Sequence, residues 1–192
     1  MTSGHEPPAP GMSTCPSCGL TTSDTGGDPP VEHVASAACY RLYGELLARD
    51  YSDPDYYRRA HQMVVDAYAA QHAGGTSRRE VQTVALCLMT LCLFCEDGIS
   101  PAEGPRLHQQ MAANRPPFTW LPPPPQQHLL TVADVLPARD AAEHERLVRR
   151  WAGQVWQAWA PHHATIRHWN SQALGGTVGP QAKELRTRRS VP

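Results

Sequence analysis

The run from Val84 to Cys95 is apolar at every position except Thr90. A helix that is hydrophobic on all sides has no face to give to water, so it belongs in the middle of a bundle. It is too short to cross a bilayer, which takes about 20 such residues. Ser77-Arg78-Arg79-Glu80, just upstream, has the spacing of a capping box, and Gly98 is a stop signal. The segment from Ser77 to about Asp97 therefore reads as a central helix, and the rest of the chain has to supply partners for it.

Those partners are legible as further helices. Ser36 is a good N-cap, and Tyr40, Tyr43, Leu46 and Leu47 recur behind it at helical spacing up to Asp50. Asp53 followed by Pro54 starts a second helix that runs to about His72, with Gly74-Gly75 ending it. Ser100-Pro101-Ala102-Glu103 opens a shorter one. A last stretch from about Asp140 to Trp169 is interrupted by Pro161, which ends or kinks it near Trp159. Residues 116–125 hold six prolines around Phe118, Trp120 and Leu121, which predicts an extended strap packed on the bundle. No alternating strand pattern of useful length is visible. The expected fold is mainly α: a single-domain helical bundle of five or six helices with an N-terminal zinc-knuckle-like loop and a proline-rich strap. Residues 1–14 read as a disordered leader, 15–170 as the helical domain and 171–192 as a disordered basic tail.

The charge balance excludes some functions. Seventeen Lys plus Arg stand against 18 Asp plus Glu, a net charge of −1, so no global field draws the chain to nucleic acid. No apolar run is long enough to span a membrane, and the N-terminus lacks a signal-peptide core, so the expected compartment is the cytoplasm. There, the six cysteines read as metal ligands or buried thiols rather than disulfides.

The sharpest motif is Cys15-Pro16-Ser17-Cys18-Gly19. Two cysteines separated by two residues can point at one Zn²⁺ when the chain turns between them, and the glycine permits that turn. Two more ligands are required. Cys39 lies in the first turn of the first helix, where the helix N-terminus favours a thiolate. For the fourth, an antiparallel hairpin turning near residues 51–53 sets Cys39 level with about residue 65. His61 is then roughly 6 Å away along the helix and His72 roughly 10 Å the other way. His33 in the preceding loop is an equal alternative to His61. The expected set is Cys15, Cys18, Cys39 and His61. Cys92-Leu93-Phe94-Cys95 repeats the spacing, but it ends an apolar helix where the dipole disfavours thiolate, so Cys87, Cys92 and Cys95 read as core.

A second constellation consists of Asp66, His72 and His163. Tyr68 and His72 stand one turn apart, with Gln71 alongside, and His163 follows the Pro161 kink among Trp151, Trp156, Trp159 and Trp169. These three could act as acid/base groups or open-site metal ligands, with His61 added. No serine elbow, Walker loop, dinucleotide fingerprint or HExxH motif is present.

Taken together, Cys15 to Leu20, Ser36 to Cys39, Glu45 to Asp53, His61, Val65 to His72, Leu130 to Val135, Trp156 to Trp159 and His162 to Thr165 resemble the DUF5946 family of bacterial proteins. The likeness covers roughly residues 15–169. It directs attention to Cys15, Cys18, Cys39, His61, Asp66, His72 and His163, and it implies no particular activity. The expectation is a zinc-binding cytoplasmic protein with a structural Cys3His site and a binding or regulatory role. The alternative is a metal-dependent hydrolase or transferase with an open, histidine-based site.

Overall fold

The computed structural model describes residues 9, 11–23, 26–125 and 129–175. Most of the predicted leader and tail lies outside these residues. Chain order begins with two short strands, β1 (Met12–Thr14) and β2 (Thr21–Ser23), paired antiparallel with Met12 opposite Ser23. The sequence reading missed this hairpin and set Met12–Thr14 in the leader, because three-residue strands carry no measurable alternation.

Seven α-helices follow among the described residues. They are α1 (Ala37–Ser52), α2 (Pro54–Gln71), α3 (Arg78–Cys92), α4 (Gly104–Ala113), α5 (Val132–Val135), α6 (Ala141–Ala158) and α7 (His163–Ala173). The starts are set by local chemistry. Ser36 accepts from the Cys39 N–H, Asp53 from Asp55, Asp140 from Glu143, and Ser77 forms a complete capping box with Glu80. The predicted count of five or six differs by the four-residue α5 and by the break at Pro161. There a single 3₁₀ turn, Ala160–His162, separates α6 from α7.

The layering follows from burial. Residues Ala85 to Cys92 of α3 are all buried, and α2, α4, α6 and α7 surround them, as an all-round apolar helix requires. The other hub is α2, packed against α1, α3 and α6. Trp151, Trp156 and Trp159 are among the largest fully buried side chains. Phe118 of the strap meets Trp169 edge-on at 5.0 Å, while Trp120 stays 46% exposed, so only part of the expected strap packing occurs. Past Cys92 the helix widens into a π-turn, Leu93–Asp97, and Gly98 closes it at φ 63°. That turn brings Cys95 to the surface, which corrects its assignment to the core; Cys87 and Cys92 are buried. Among the described residues no helix is long and apolar enough to cross a membrane.

Candidate metal centre

The N-terminal knuckle closes on itself. Gly19 N–H donates to the Cys15 carbonyl at 3.0 Å and Cys15 N–H donates to Leu20 O at 2.9 Å. Gly19 takes φ 75°, a left-handed conformation that a glycine adopts without steric cost. Both knuckle cysteines turn inward and are buried, Cys15 at 0% and Cys18 at 5% exposure. Ser17 fastens the knuckle to the loop before α1 by donating to Val34 O at 2.6 Å, and Val34 N–H donates to His72 O at 3.0 Å. The start of α1 and the end of α2 are thereby drawn to the same place.

One ligand atom from each of Cys15, Cys18, Cys39 and His72 lies within 4.8 Å of the other three, and all four residues are buried. Cys18 Sγ is 3.8 Å from Cys39 Sγ, and Cys39 Sγ is 3.4 Å from His72 Nε2. A tetrahedral ion with metal–sulfur bonds of about 2.3 Å and a metal–nitrogen bond of about 2.0–2.1 Å sets those edges at about 3.8 and 3.6 Å. These two edges match a tetrahedral ion closely, and all four ligand atoms lie within 4.8 Å of one another. The second sphere agrees. His72 Nδ1–H donates to Tyr68 O at 2.9 Å, which leaves Nε2 its lone pair toward the sulfurs, and Tyr68 Oη–H donates to Cys39 Sγ at 3.8 Å.

The electrostatics of the bare thiols point the same way. Hydrogen bonds from Cys18 and then Cys39 hold the Cys15 thiol well below the usual range, against the cost of burial. That first negative charge makes a second one expensive: the hydrogen bond with Cys15 pushes Cys18 up to about 12, and hydrogen bonds with Cys15 and then Cys18 raise Cys39. Three thiolates can share this buried site only if a cation compensates them.

The sequence reading set His61 in this group, and the structure places it elsewhere. His61 Nδ1 faces Asp50 Oδ2 at 3.3 Å, its ring stacked on Tyr57 at 4.5 Å and tilted against Tyr51 at 4.6 Å, and His144 Nε2 approaches Asp50 Oδ1 at 3.1 Å. Asp50 and His144 are both fully buried. Cys39 and Asp50 are separated by 11 residues on α1, as His61 and His72 are on α2. Each interval is three turns, about 16 Å, so the two pairs sit at opposite ends of one seam between antiparallel helices. His61 is on the right face and at the wrong end. The knuckle precedes α1 and packs beyond its N-terminus, so the ligand must come from the far end of α2. There the Cα–Cβ bond of the capping residue His72 tilts back toward Tyr68, on which its ring stacks at 3.9 Å. His33 packs edge-on against Tyr68 at 5.2 Å and is not among the four.

Asp66, His72 and His163 are not brought together. Asp66 is buried between Gln62 Nε2 at 3.0 Å and His108 Nδ1 at 3.7 Å, and burial raises its carboxyl well above the ordinary value. His163 lies flat on Trp156 at 3.7 Å, donates from Nε2 to Trp156 O at 2.9 Å and stands 3.8 Å from Glu96, which Arg167 grips with two bonds of 2.7 Å. Asp50, His108 and His144 were not singled out from the sequence. Only His144 carried a signal: it begins a buried stripe continued by Val148, Trp151, Ala152 and Val155, spacing that marks a core histidine.

No curated protein and no solved structure matches this chain. A family model does, over residues 13–160, and its description is a family of unknown function, DUF5946. That match contains the knuckle, both helices of the hairpin and His72, and the chain belongs to the DUF5946 family.

Proposed function

We propose that this chain is a zinc-binding protein whose ion is structural, held by Cys15, Cys18, Cys39 and His72, and that it works by binding or regulation through its helical surface. The observation that carries this reading is the convergence of three sulfurs and one imidazole nitrogen, all buried, within 4.8 Å. A closed set of four protein ligands leaves no position for water or substrate, so the ion contributes folding energy and no Lewis-acid chemistry. It ties the knuckle to both helices of the hairpin, which share no other covalent link beyond the chain itself. Thiolates of this kind persist in a reducing, cytoplasmic setting. The separate surroundings of Asp66, His72 and His163 give the hydrolase alternative no shared site to work from.

Elemental mass spectrometry of wild type and Cys39→Ser, both purified without chelator, tests the reading. One zinc per chain in the wild type, lost or loosened in the variant, is the expected result. Fully reduced wild type that holds no metal, or that melts unchanged once its metal is stripped, overturns it.

A further inference from the structure

Where the proline-rich strap passes the start of α3, an open cavity of about 500 Å³ lies between them. That is within the ordinary range for a small-molecule site, roughly 300–1,000 Å³. One wall is the start of α3, carrying Arg78, Val81 and Gln82; the other is the end of α4 and the strap, carrying Arg115, Phe118 and Trp120. Two arginines thus reach the cavity from opposite walls and no acidic residue lines it, a net charge of +2. Neither faces a carboxylate among the described residues, whereas Arg59, Arg139 and Arg167 each do. Arg115 instead donates to Ala112 O at 2.6 Å, which leaves most of its five N–H groups for a ligand. Two cations at one cavity without a counter-charge repel each other. An anion between them relieves that repulsion and takes charge-assisted hydrogen bonds from both.

The rest of the lining is suited to a flat ring. Of the five tryptophans four are buried, and Trp120 is the exception at 46% exposure. It also borders an apolar slot formed with Val84, Leu88 and Trp169, so the indole has a seat on the bundle. Seated there and still exposed at the cavity, it offers a ligand ring a surface to stack on without displacing any packing. The walls are held in place before a ligand arrives. Ser77 and Glu80 cap the start of α3, Phe118 meets Trp169 at 5.0 Å, and Pro116 and Pro117 fix their own φ angles. Preorganisation of this kind lowers the cost of binding. Two guanidinium forks match the double charge and several oxygens of a phosphate monoester better than the single charge of a carboxylate.

We infer that this cavity binds a small aromatic phosphate monoester, with the phosphate between Arg78 and Arg115 and the ring against Trp120. None of the three residues is a candidate metal ligand, so the inference stands apart from the zinc reading. Titration calorimetry on the full chain as purified, in a phosphate-free buffer, tests it. Phenyl phosphate is the probe; inorganic phosphate lacks the ring and benzyl alcohol lacks the charge. Saturable binding of phenyl phosphate is expected, with both comparisons weaker by at least about tenfold. Arg78→Gln, at an exposed position, weakens phenyl phosphate by about fivefold or more and leaves the fold intact. Trp120→Leu weakens phenyl phosphate and leaves inorganic phosphate unchanged. Arg150→Gln removes the same charge from an exposed position of α6 outside the cavity and changes neither. The proposal is overturned by an absence of saturable phenyl phosphate binding, or by either comparison binding as tightly as the probe. It is equally overturned by binding that Arg78→Gln or Trp120→Leu leaves intact, or that Arg150→Gln weakens as much as Arg78→Gln does.

Discussion

Replacing His72 and His61 one at a time separates the two ends of the α1–α2 seam. His72→Ala removes one of the four candidate ligands. Losing a partner that merely orients a ligand costs a metal site about 10- to 100-fold in affinity, so losing the ligand itself belongs at or above the upper figure. A hundredfold loss is about 2.7 kcal/mol. While free zinc exceeds the dissociation constant, that loss passes in full to folding stability. In a domain of this size each kcal/mol moves the melting temperature by about 2–4 °C, so the zinc-loaded variant melts about 5–11 °C below wild type. His61→Ala also destabilises, because it takes a partner from the buried Asp50 carboxylate. Total melting temperature therefore does not discriminate; the difference between melts with zinc and with EDTA does. His61→Ala keeps the full wild-type difference and the wild-type zinc affinity, measured by competition with a chromophoric chelator. His72→Ala loses most of both. The reasoning fails if His72→Ala binds zinc like wild type, or if His61→Ala is the variant that lets it go.

Three other outcomes follow from the buried groups. Burial opposes ionisation of Asp50, but His144 and His61 outweigh it and hold the carboxyl below its ordinary value. Its contribution is therefore present above the unfolded aspartate pKa near 3.9 and is lost as pH falls through the lower folded value. Acid melts should cost wild type more stability than Asp50→Asn, and parallel pH profiles would remove this account. Asp66 has the opposite sign: burial raises its pKa, so the folded state is penalised increasingly as pH rises above the unfolded value. Asp66→Asn should gain on wild type between pH 4 and pH 7 in paired thermal melts, and a constant offset across that span contradicts it. Leu46→Ala, at a fully buried position of α1, should lower denaturant stability by about 2–5 kcal/mol; a loss under 1 kcal/mol would mean the hairpin is not packed as described.

What the sequence determined on its own is the part of this protein whose physics is local. Ser36, Asp53, Ser77 and Asp140 announce helix starts because an N-cap needs only the next three residues to work. Gly98 and Pro161 mark breaks for equally local reasons of backbone geometry. The knuckle is legible because both its cysteines and the turn between them lie within five residues, and Cys39 because it sits at a recognisable helix end. The tertiary structure decided the rest. His61 and His72 occupy the same face of one helix, and no periodicity separates them; the choice depends on the end of the hairpin against which the knuckle folds back. Asp50 gains its partners from α2 and α6, across intervals of 11 and 94 positions, and the cavity between Arg78 and Arg115 joins the start of α3 to the strap. Contacts of that kind form only once apolar burial has packed the helices together, and burial has no direction along the chain.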